Sequence, residues 1–498
     1  MGKGISGKQY VIIVISVLLM FLTAVIPPFP GLSQAGFQVL GILIAGLILW
    51  LFVGTGWPSF LVLMALMTVP GLGSKTVIQS SFGNDTAVFL MFCFMLAASL
   101  TKTGLARRIS IWFITNKLSR RSPWWTMMMY FIAEFVLSLV LSSTSTFMIF
   151  LPIMTEILTE LGYEKNKKVG VGAMMVLGTV IVGQIANSCT PISHAMSITG
   201  MTTYTSYTGG TIDFFTFCAV LTPLAIVCLV LWFIIAKYIW KPDISSFREI
   251  NFDKLAASCG KMGKREKIAG VMYIIVLILW VVPGLARYVA PGWYDTLSLI
   301  NQNYPPLVAL FILNLVCIEG KPVLPFQEAF KSINWNTFVF IATIMCLGSC
   351  LSNADVGLRD WLAEVCTPIA ASVSPTAFMI FILAFGILLT NFISNAVGLA
   401  IVFAIAMPLC TSVYAEEINP MAIAILMTAA VQYAWATPPG TPNAVVAADS
   451  GWIDTNTMFK WGMLVALIFA IAFIGLGIPL ALSLIHISEP TRLALISY

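Results

Sequence analysis

The chain has 498 residues, 59% of them hydrophobic and only 9% charged, where a soluble domain carries roughly 25%. With a mean hydropathy of +0.95, it lacks the polar surface that a water-soluble fold of this length needs. At about 20 residues per span there is room for about a dozen spans and little else, which excludes a membrane-anchored enzyme with a separate soluble catalytic domain. The net charge of +5 resides in short loops and does not point to nucleic acid. Most of the ten cysteines lie in apolar runs (Cys93, Cys218, Cys228, Cys317, Cys346) without CxxC or Cys/His spacing. They read as small core residues, and no metal centre or cofactor is expected.

The first apolar run, 10–26, follows Lys3 and Lys8 and ends in PPFPG without a small-residue cleavage site. It reads as an uncleaved first span with a cytoplasmic N-terminus. Further spans are expected at 36–53, 57–69, 86–100, 169–200, 213–239, 267–289, 305–318, 336–351, 419–448 and 456–481. Two longer apolar blocks interrupt this series. The block 124–160 is preceded by Lys102, Arg107, Arg108, Lys117, Arg120 and Arg121 and followed by Lys165, Lys167 and Lys168. Lys and Arg concentrate on the cytoplasmic side, so this block enters and returns by one face. It is expected to be a re-entrant hairpin with its tip near SSTST at 142–146. The loop 201–212 (MTTYTSYTGGTI) carries no basic residue and is placed outside; 241–267 carries seven Lys/Arg and is placed inside, against anionic lipid. The block 375–415 has Arg359 before it and Glu416 and Glu417 after it, and reads as a second hairpin, entering from outside, with its tip near ISNAVG at 393–398.

The chain also repeats itself. VFL at 88–90, GLARR at 104–108, SST at 142–144 and TP at 190–191 recur as VFI at 339–341, GLRDW at 357–361, SNA at 394–396 and TP at 437–438. Basic residues flank opposite sides of the two copies, as in the inverted repeats of secondary transporters. The expected architecture is an all-α polytopic membrane protein of about 11 transmembrane helices plus two re-entrant hairpins in an inverted repeat, with broken helices at the midplane. Its divisions are an N-terminal span (1–35), a first repeat (36–240, with scaffold 36–69, hairpin 124–160 and broken helix 169–200), a cytoplasmic loop (241–266) and a second repeat (267–481, with scaffold 267–318, hairpin 375–415 and broken helix 419–448). The tail LSLIHISEPTRLALISY at 482–498 matches the translation of a sequencing adapter, so it is read as an assembly artefact in which His486, Glu489 and Arg492 carry no role.

The tips carry the chemistry. Non-helical backbone at membrane depth is tolerated only where it is buried or lines a cavity. At each tip one arm ends in free carbonyls and the next begins with free N–H groups, which places a cation site beside an anion site. Ser142, Ser143, Thr144, Ser394 and Asn395 supply short polar groups, and Ser138 and Thr390 lie one helical turn before each tip serine. A second polar break follows each hairpin, NSCTPIS at 187–193 and WATPPGTPN at 435–443, where proline removes a donor and frees carbonyls near Cys189 and Ala436. None of the four segments contains Lys or Arg. An anion there needs helix N-termini and co-bound cations. A Ser/Thr cluster alone is commonly packing glue; two at repeat-related tips, each followed by a break, argue for a site.

At this point the sequence resembles the divalent anion/sodium symporter family of the ion transporter superfamily, through FGNDTAVFLMF, KTGLARRI, the paired tips, INWNTFVFI at 333–341 and the late ATPP. The resemblance implies transport of a di- or tricarboxylate or sulfate by a homodimer with an elevator motion, in a prokaryotic inner membrane. It implies one sodium site from Ser138, Ser142, Ser143 and the backbone near Cys189, and another from Thr390, Ser394, Asn395 and the backbone near Ala436. It implies substrate contacts by Ser143, Thr144, Asn395, Thr437 and Pro438. The family's Ser-Asn-Thr tip motif appears here as Ser142-Ser143-Thr144 and Ser394-Asn395-Ala396, so each copy departs once.

Two ionisable residues stand near the tips. Glu134 lies in the first hairpin arm and His194 follows the first break. Each reads either as a structural residue with a polar partner or as a proton-coupling group. Asn84 and Asp85 read as a helix N-cap, Trp124 and Trp125 as interfacial anchors, and PFQEAFKSINW at 325–335 as an amphipathic helix along the membrane face. The leading expectation is sodium-coupled symport of a small organic dianion; the alternative is a proton-coupled or exchanging anion permease of the same fold. An intramembrane protease would want paired aspartates, Ser/His or HExxH, and none is present; a channel would want a continuous lined pore, and the inverted repeat with paired hairpins argues against it.

Overall fold

A computed structural model describes residues 6–165, 170–289, 291–298, 302–353, 355–358, 361, 364, 365, 368 and 372–488. Lys167, Lys168, Arg359 and the tail from Glu489 onward, including Arg492, lie outside the described residues. The helices run, in chain order, α1 Gly7–Leu22, α2 Gln34–Phe52, α3 Pro58–Leu66, α4 Gly73–Ser80, α5 Asp85–Lys102, α6 Leu105–Thr115, α7 Pro123–Ser138, α8 Ser143–Glu160, α9 Val171–Ser188, α10 Ala195–Thr208 and α11 Phe214–Ile234. After the loop and its short α12 (Phe252–Ala257) come α13 Lys264–Val289, α14 Pro291–Ser298, α15 Tyr304–Leu315, α16 Phe326–Lys331, α17 Trp335–Ser352, α18 Pro375–Thr390, α19 Asn395–Thr411, α20 Pro420–Ala430, α21 Pro442–Asp449, α22 Thr455–Ala472 and α23 Ile478–Ser488. A two-residue antiparallel ladder, Cys317–Ile318 with Lys321–Pro322, follows α15 where the sequence suggested continued helix.

Among the described residues, five helices are long and apolar enough to cross a membrane, Gln34–Phe52, Val171–Ser188, Phe214–Trp240, Lys264–Pro283 and Thr455–Ser483, or six if the bent pair Ala87–Lys102 and Leu105–Arg121 is one span. Shorter apolar helices of 10–17 residues accompany them. α9 is buried along its whole length, as expected of a helix that is apolar all round. Ile226, Val230, Val271, Ile274, Leu467 and Ile471 instead expose large apolar side chains, the surface of a polytopic helical protein whose solvent is lipid.

Both hairpins form, and their bounds repeat. α7, the tip 139–142 and α8 recur as α18, the tip 391–394 and α19, with Pro123, Ser138 and Ser143 displaced by a constant 252 residues to Pro375, Thr390 and Asn395. Ser143–Thr146 form the first turn of α8 rather than the loop itself. The GLARR/GLRDW pair also shares its backbone. Gly104 and Gly357 have φ of +85° and +67°, a left-handed turn that glycine adopts without a Cβ penalty. At Gly104 the chain bends by 59° into α6, a helix that the sequence reading had passed over as a basic flank.

The break after α9 is short, and α10 continues to Thr208. The sequence reading is corrected here: the broken helix does not end at 200, and most of 201–212 is helical rather than an outer loop. Its hydroxyls hide by bonding back along the helix, Thr199 to Ala195 O (3.0 Å), Thr203 to Thr199 O (2.8 Å) and Thr208 to Tyr204 O (2.9 Å). α10 packs on α17 and on α19 and α20 of the second half. Contact there is close: a Cβ on Gly200 would lie 1.7 Å from Thr428 Oγ1 and 2.7 Å from Thr428 Cβ. Rotating the hydroxyl cannot relieve the second distance. Gly200→Ala is therefore expected to cost roughly 1–3 kcal/mol despite alanine's better helix propensity. The thermal midpoint in detergent should fall by several degrees and recover in Gly200→Ala/Thr428→Ala.

Elsewhere the sequence reading meets local structure directly. Asn84 Oδ1 accepts from Ala87 N at 3.4 Å, and α16 exposes Phe326 and Phe330. The loop 241–266 is tied to the first half by Arg108, whose guanidinium meets Glu266 at 3.0 Å and donates to Cys259 O (2.8 Å) and Gly260 O (2.9 Å).

Candidate substrate and cation site

The two tips and both breaks meet at one cavity of about 550 Å³. Ser142, Ser143, Thr144 and Ser145 line it from the first tip, and Ser394, Asn395 and Ala396 from the second. His194 lines it from the first break and Gly440, Thr441 and Pro442 from the second. Segments some 250 residues apart in the chain are thus brought face to face. Among the described residues, the lining contains no Lys, Arg, Asp or Glu.

Each tip is latched to its broken helix by the repeated threonine. Thr190 donates to Leu139 O at 2.7 Å, and Thr437 donates to Asn391 O. In both halves the acceptor is the first residue of the tip. Thr437 accordingly spends its hydroxyl on backbone. Thr437 and Pro438 are not among the lining residues, and 440–442 take the place expected of them. Thr441 caps α21, accepting from Ala444 N at 3.3 Å, with Pro442 at the first helical position, where its missing N–H costs nothing.

An asparagine completes each latch. Asn187, the penultimate residue of α9, donates through Nδ2 to Leu141 O (3.0 Å) and Ser138 O, and accepts from Ser143 N at 2.5 Å. Val140 O takes the Tyr273 hydroxyl at 2.8 Å. The four carbonyls 138–141 thus each hold a side-chain donor, leaving a cation there the hydroxyls and second lone pairs. In the second half the asparagine sits in the tip. Asn391 Nδ2 donates to Tyr433 O at 2.8 Å, and its Oδ1 accepts from Trp435 N (3.1 Å) and Ala436 N (2.9 Å).

Of the expected cation ligands, Ser138, Ser143, Cys189, Thr390, Asn395 and Ala436 are buried, and Ser142 and Ser394 are half-buried. Ser138 Oγ lies 2.8 Å from Thr146 Oγ1. The Thr390 hydroxyl lies 2.9 Å from Asn395 Oδ1 and 2.5 Å from Val431 O. Cys189 and Ala436 have no exposed surface. The N-termini differ between tips. Ser142 caps α8 through Ser145 N at 3.3 Å, whereas Ser394 makes no side-chain cap on α19. The second tip therefore presents the freer set of N–H groups, and the Asn395 amide nitrogen beside them makes no hydrogen bond among the described residues.

A model of the citrate transporter family matches residues 45–430. The chain belongs to that family, within the divalent anion/sodium symporter group that its tips resemble. It is 24% identical to the sodium-dependent dicarboxylate transporter of Staphylococcus saprophyticus, over 95% of this chain and 91% of that protein. The corresponding Staphylococcus aureus transporter matches at the same identity and coverage. The solved YdaH transporter of Alcanivorax borkumensis superposes with a TM-score of 0.55 at 13% identity, covering 98% of this chain and 99% of that one, and so shares the fold. This family member is a membrane transporter and not an enzyme.

Glu134 is fully buried, and neither carboxyl oxygen has a hydrogen-bond partner among the described residues. A Cβ on Gly183 would lie 3.5 Å from Glu134 Oε1 and 3.8 Å from Ser138 Oγ. The residue 252 positions after Glu134 is Gly386, where an added Cβ would meet the side chains of Val431 at 3.4 Å and Val402 at 3.6 Å. Sequence reasoning singled out neither Asn187 nor Asn391, and it also passed over Gln184, which lines the cavity with its Oε1 buried and unpartnered. The signal available was position: Asn187 opens the first quoted break, and Asn391 directly follows Thr390.

Proposed function

We propose that this transporter is a sodium-coupled importer of a small di- or tricarboxylate. The observation that carries the reading is the uncharged cavity between two hairpin tips. With no Lys or Arg in the lining, the anion is held by helix N-termini and by cations seated beside them. Cations fill the sites at Ser138, Ser142, Ser143 and Cys189 and at Thr390, Ser394, Asn395 and Ala436, order the cavity and balance the charge of the anion. Ser143, Thr144 and Asn395 then contact the carboxylates. The sodium-dependent relatives support the choice of ion and of carboxylate.

The hairpins enter the membrane from opposite faces and move with the broken helices against a scaffold of 36–69 and 267–318, in a homodimer of the bacterial inner membrane with a cytoplasmic N-terminus. Where more positive than negative charges cross per cycle, each net charge adds roughly 2.3 kcal/mol of driving force per 100 mV.

The test is uptake of labelled succinate, citrate and sulfate into proteoliposomes under an inward sodium gradient, a proton gradient or neither. Sodium-driven carboxylate uptake is expected. Asn395→Ala, which removes one carboxylate donor and one cation ligand, should lower it roughly 100-fold. Uptake driven by protons alone selects the alternative, a proton-coupled or exchanging permease. That reading has one observation in its favour, the unpartnered Glu134 carboxyl behind the first tip.

A further inference from the structure

The cavity departs from its own two-fold symmetry, and two of the departures add polar groups to the first half. His194 and Thr441 occupy repeat-related positions, displaced by the same 247 residues as the threonines of the two TP pairs. Both residues line the cavity and both cap the following helix. They do so with different reserves. The Thr441 hydroxyl accepts from Ala444 N and lies 3.5 Å from Ala434 O, the acceptor for its proton. His194 caps through Nδ1, which accepts from Met196 N at 3.2 Å. Its ring proton therefore sits on Nε2, which makes no hydrogen bond among the described residues.

Gln184 is the second departure. The same displacement leads to Val431, an apolar residue. Gln184 is 1% exposed, its Oε1 has no partner, and no hydrogen bond engages its Nε2 among the described residues. A buried amide left unsatisfied costs about 1–3 kcal/mol, and such groups in a cavity wall mark where a ligand binds. Two tips related by symmetry provide for two carboxylates. Gln184 and His194, both from the first half, line the same cavity as Ser143, Thr144 and Asn395 and add N–H donors beyond those of the two tips.

We propose that Gln184 and His194 form a subsite for a third carboxylate, which makes them the residues that set tricarboxylate over dicarboxylate preference. The proposal rests on the carboxylate reading above. A neutral imidazole N–H and an amide NH₂ suit it. They donate to an anion without adding fixed charge, so dicarboxylates still fit the same cavity.

The experiment uses tricarballylate and glutarate, which share a five-carbon diacid backbone and differ by one carboxylate. Uptake into proteoliposomes of the full chain is measured at a pH where every carboxyl is ionised, for the unaltered protein, Gln184→Leu and His194→Thr. The threonine retains the cap, as Thr441 does in the other half. The unaltered protein should take up tricarballylate with a lower KM than glutarate. Each variant should raise the tricarballylate KM roughly 10- to 100-fold, the loss of one hydrogen bond to a charged group. The glutarate KM should stay within about twofold, a shift too small to cost a hydrogen bond, and it serves as the control for folding. Gln184→Glu, which adds a repelling charge, should exclude tricarballylate. Glutarate uptake without tricarballylate uptake by the unaltered protein overturns the subsite and leaves the dicarboxylate function standing. A parallel rise of both KM values assigns the pair to cavity shape and also overturns it. Uptake of neither, nor of succinate or citrate, under sodium or proton gradients removes the carboxylate function itself.

Discussion

Asn391→Ala should destabilise the protein by roughly 3–5 kcal/mol. The substitution leaves Tyr433 O, Trp435 N–H and Ala436 N–H without their side-chain partner, and a buried polar group left unmade costs about 1–3 kcal/mol. Water cannot substitute, because Tyr433, Trp435 and Ala436 are buried and Asn391 itself has no exposed surface. Against a total stability of about 5–15 kcal/mol the loss is large. It should appear as a markedly lower thermal midpoint and rapid proteolysis within 431–441. Phe392→Ala, at a neighbouring residue that is 49% exposed, is the control and should change little. A midpoint for Asn391→Ala equal to that of Phe392→Ala would mean that the second break holds its shape without the asparagine.

Asn187→Ala is expected to act on transport more than on folding. It frees Ser143 N–H, Ser138 O and Leu141 O at the first tip, but the Thr190 and Tyr273 hydroxyls still hold Leu139 O and Val140 O. The tip remains attached while the geometry of its polar groups loosens. On the proposed function, Ser138 and Ser143 serve the first cation, so the sodium concentration for half-maximal uptake should rise at least tenfold, about 1.4 kcal/mol. The thermal midpoint should fall less than in Asn391→Ala. Unchanged sodium dependence would separate Asn187 from cation binding and leave it as a structural clamp.

Much of the architecture was legible because it rests on local chemistry. Charge flanks, apolar length and the repeated SST/SNA and TP pairs delimit both hairpins, whose bounds match between copies at Pro123 and Pro375, Ser138 and Thr390, Ser143 and Asn395. The tip serines and Asn395 reach a common cavity because each tip is a helix start, and helix starts leave unpaired N–H groups. What escaped was decided by tertiary contact. MTTYTSYT reads as a polar loop, yet its hydroxyls bond back along α10 and the helix is buried against α17, α19 and α20. Leu105–Thr115 reads as a basic flank because its charges mask a helix that begins at a left-handed glycine. Asn187 and Asn391 are not repeat-related, so comparing the copies could not expose them. One reaches from broken helix to tip and the other from tip to broken helix. That Thr441 lines the cavity while the Thr437 hydroxyl is taken by Asn391 O is a matter of tertiary contact, which spacing does not encode.

The uncharged lining has an electrical corollary. A transporter that fixes an anion with arginine or lysine carries that charge through the membrane field whenever the site moves, laden or not. Here no lining side chain bears a formal charge, with His194 neutral through the Met196 N–H bond to its Nδ1. The empty cavity contributes no gating charge. On the proposed function, the cations and the anion supply the charge that the cavity carries through the field, and the reversal potential of the transport current reports their ratio whatever charge the protein itself holds.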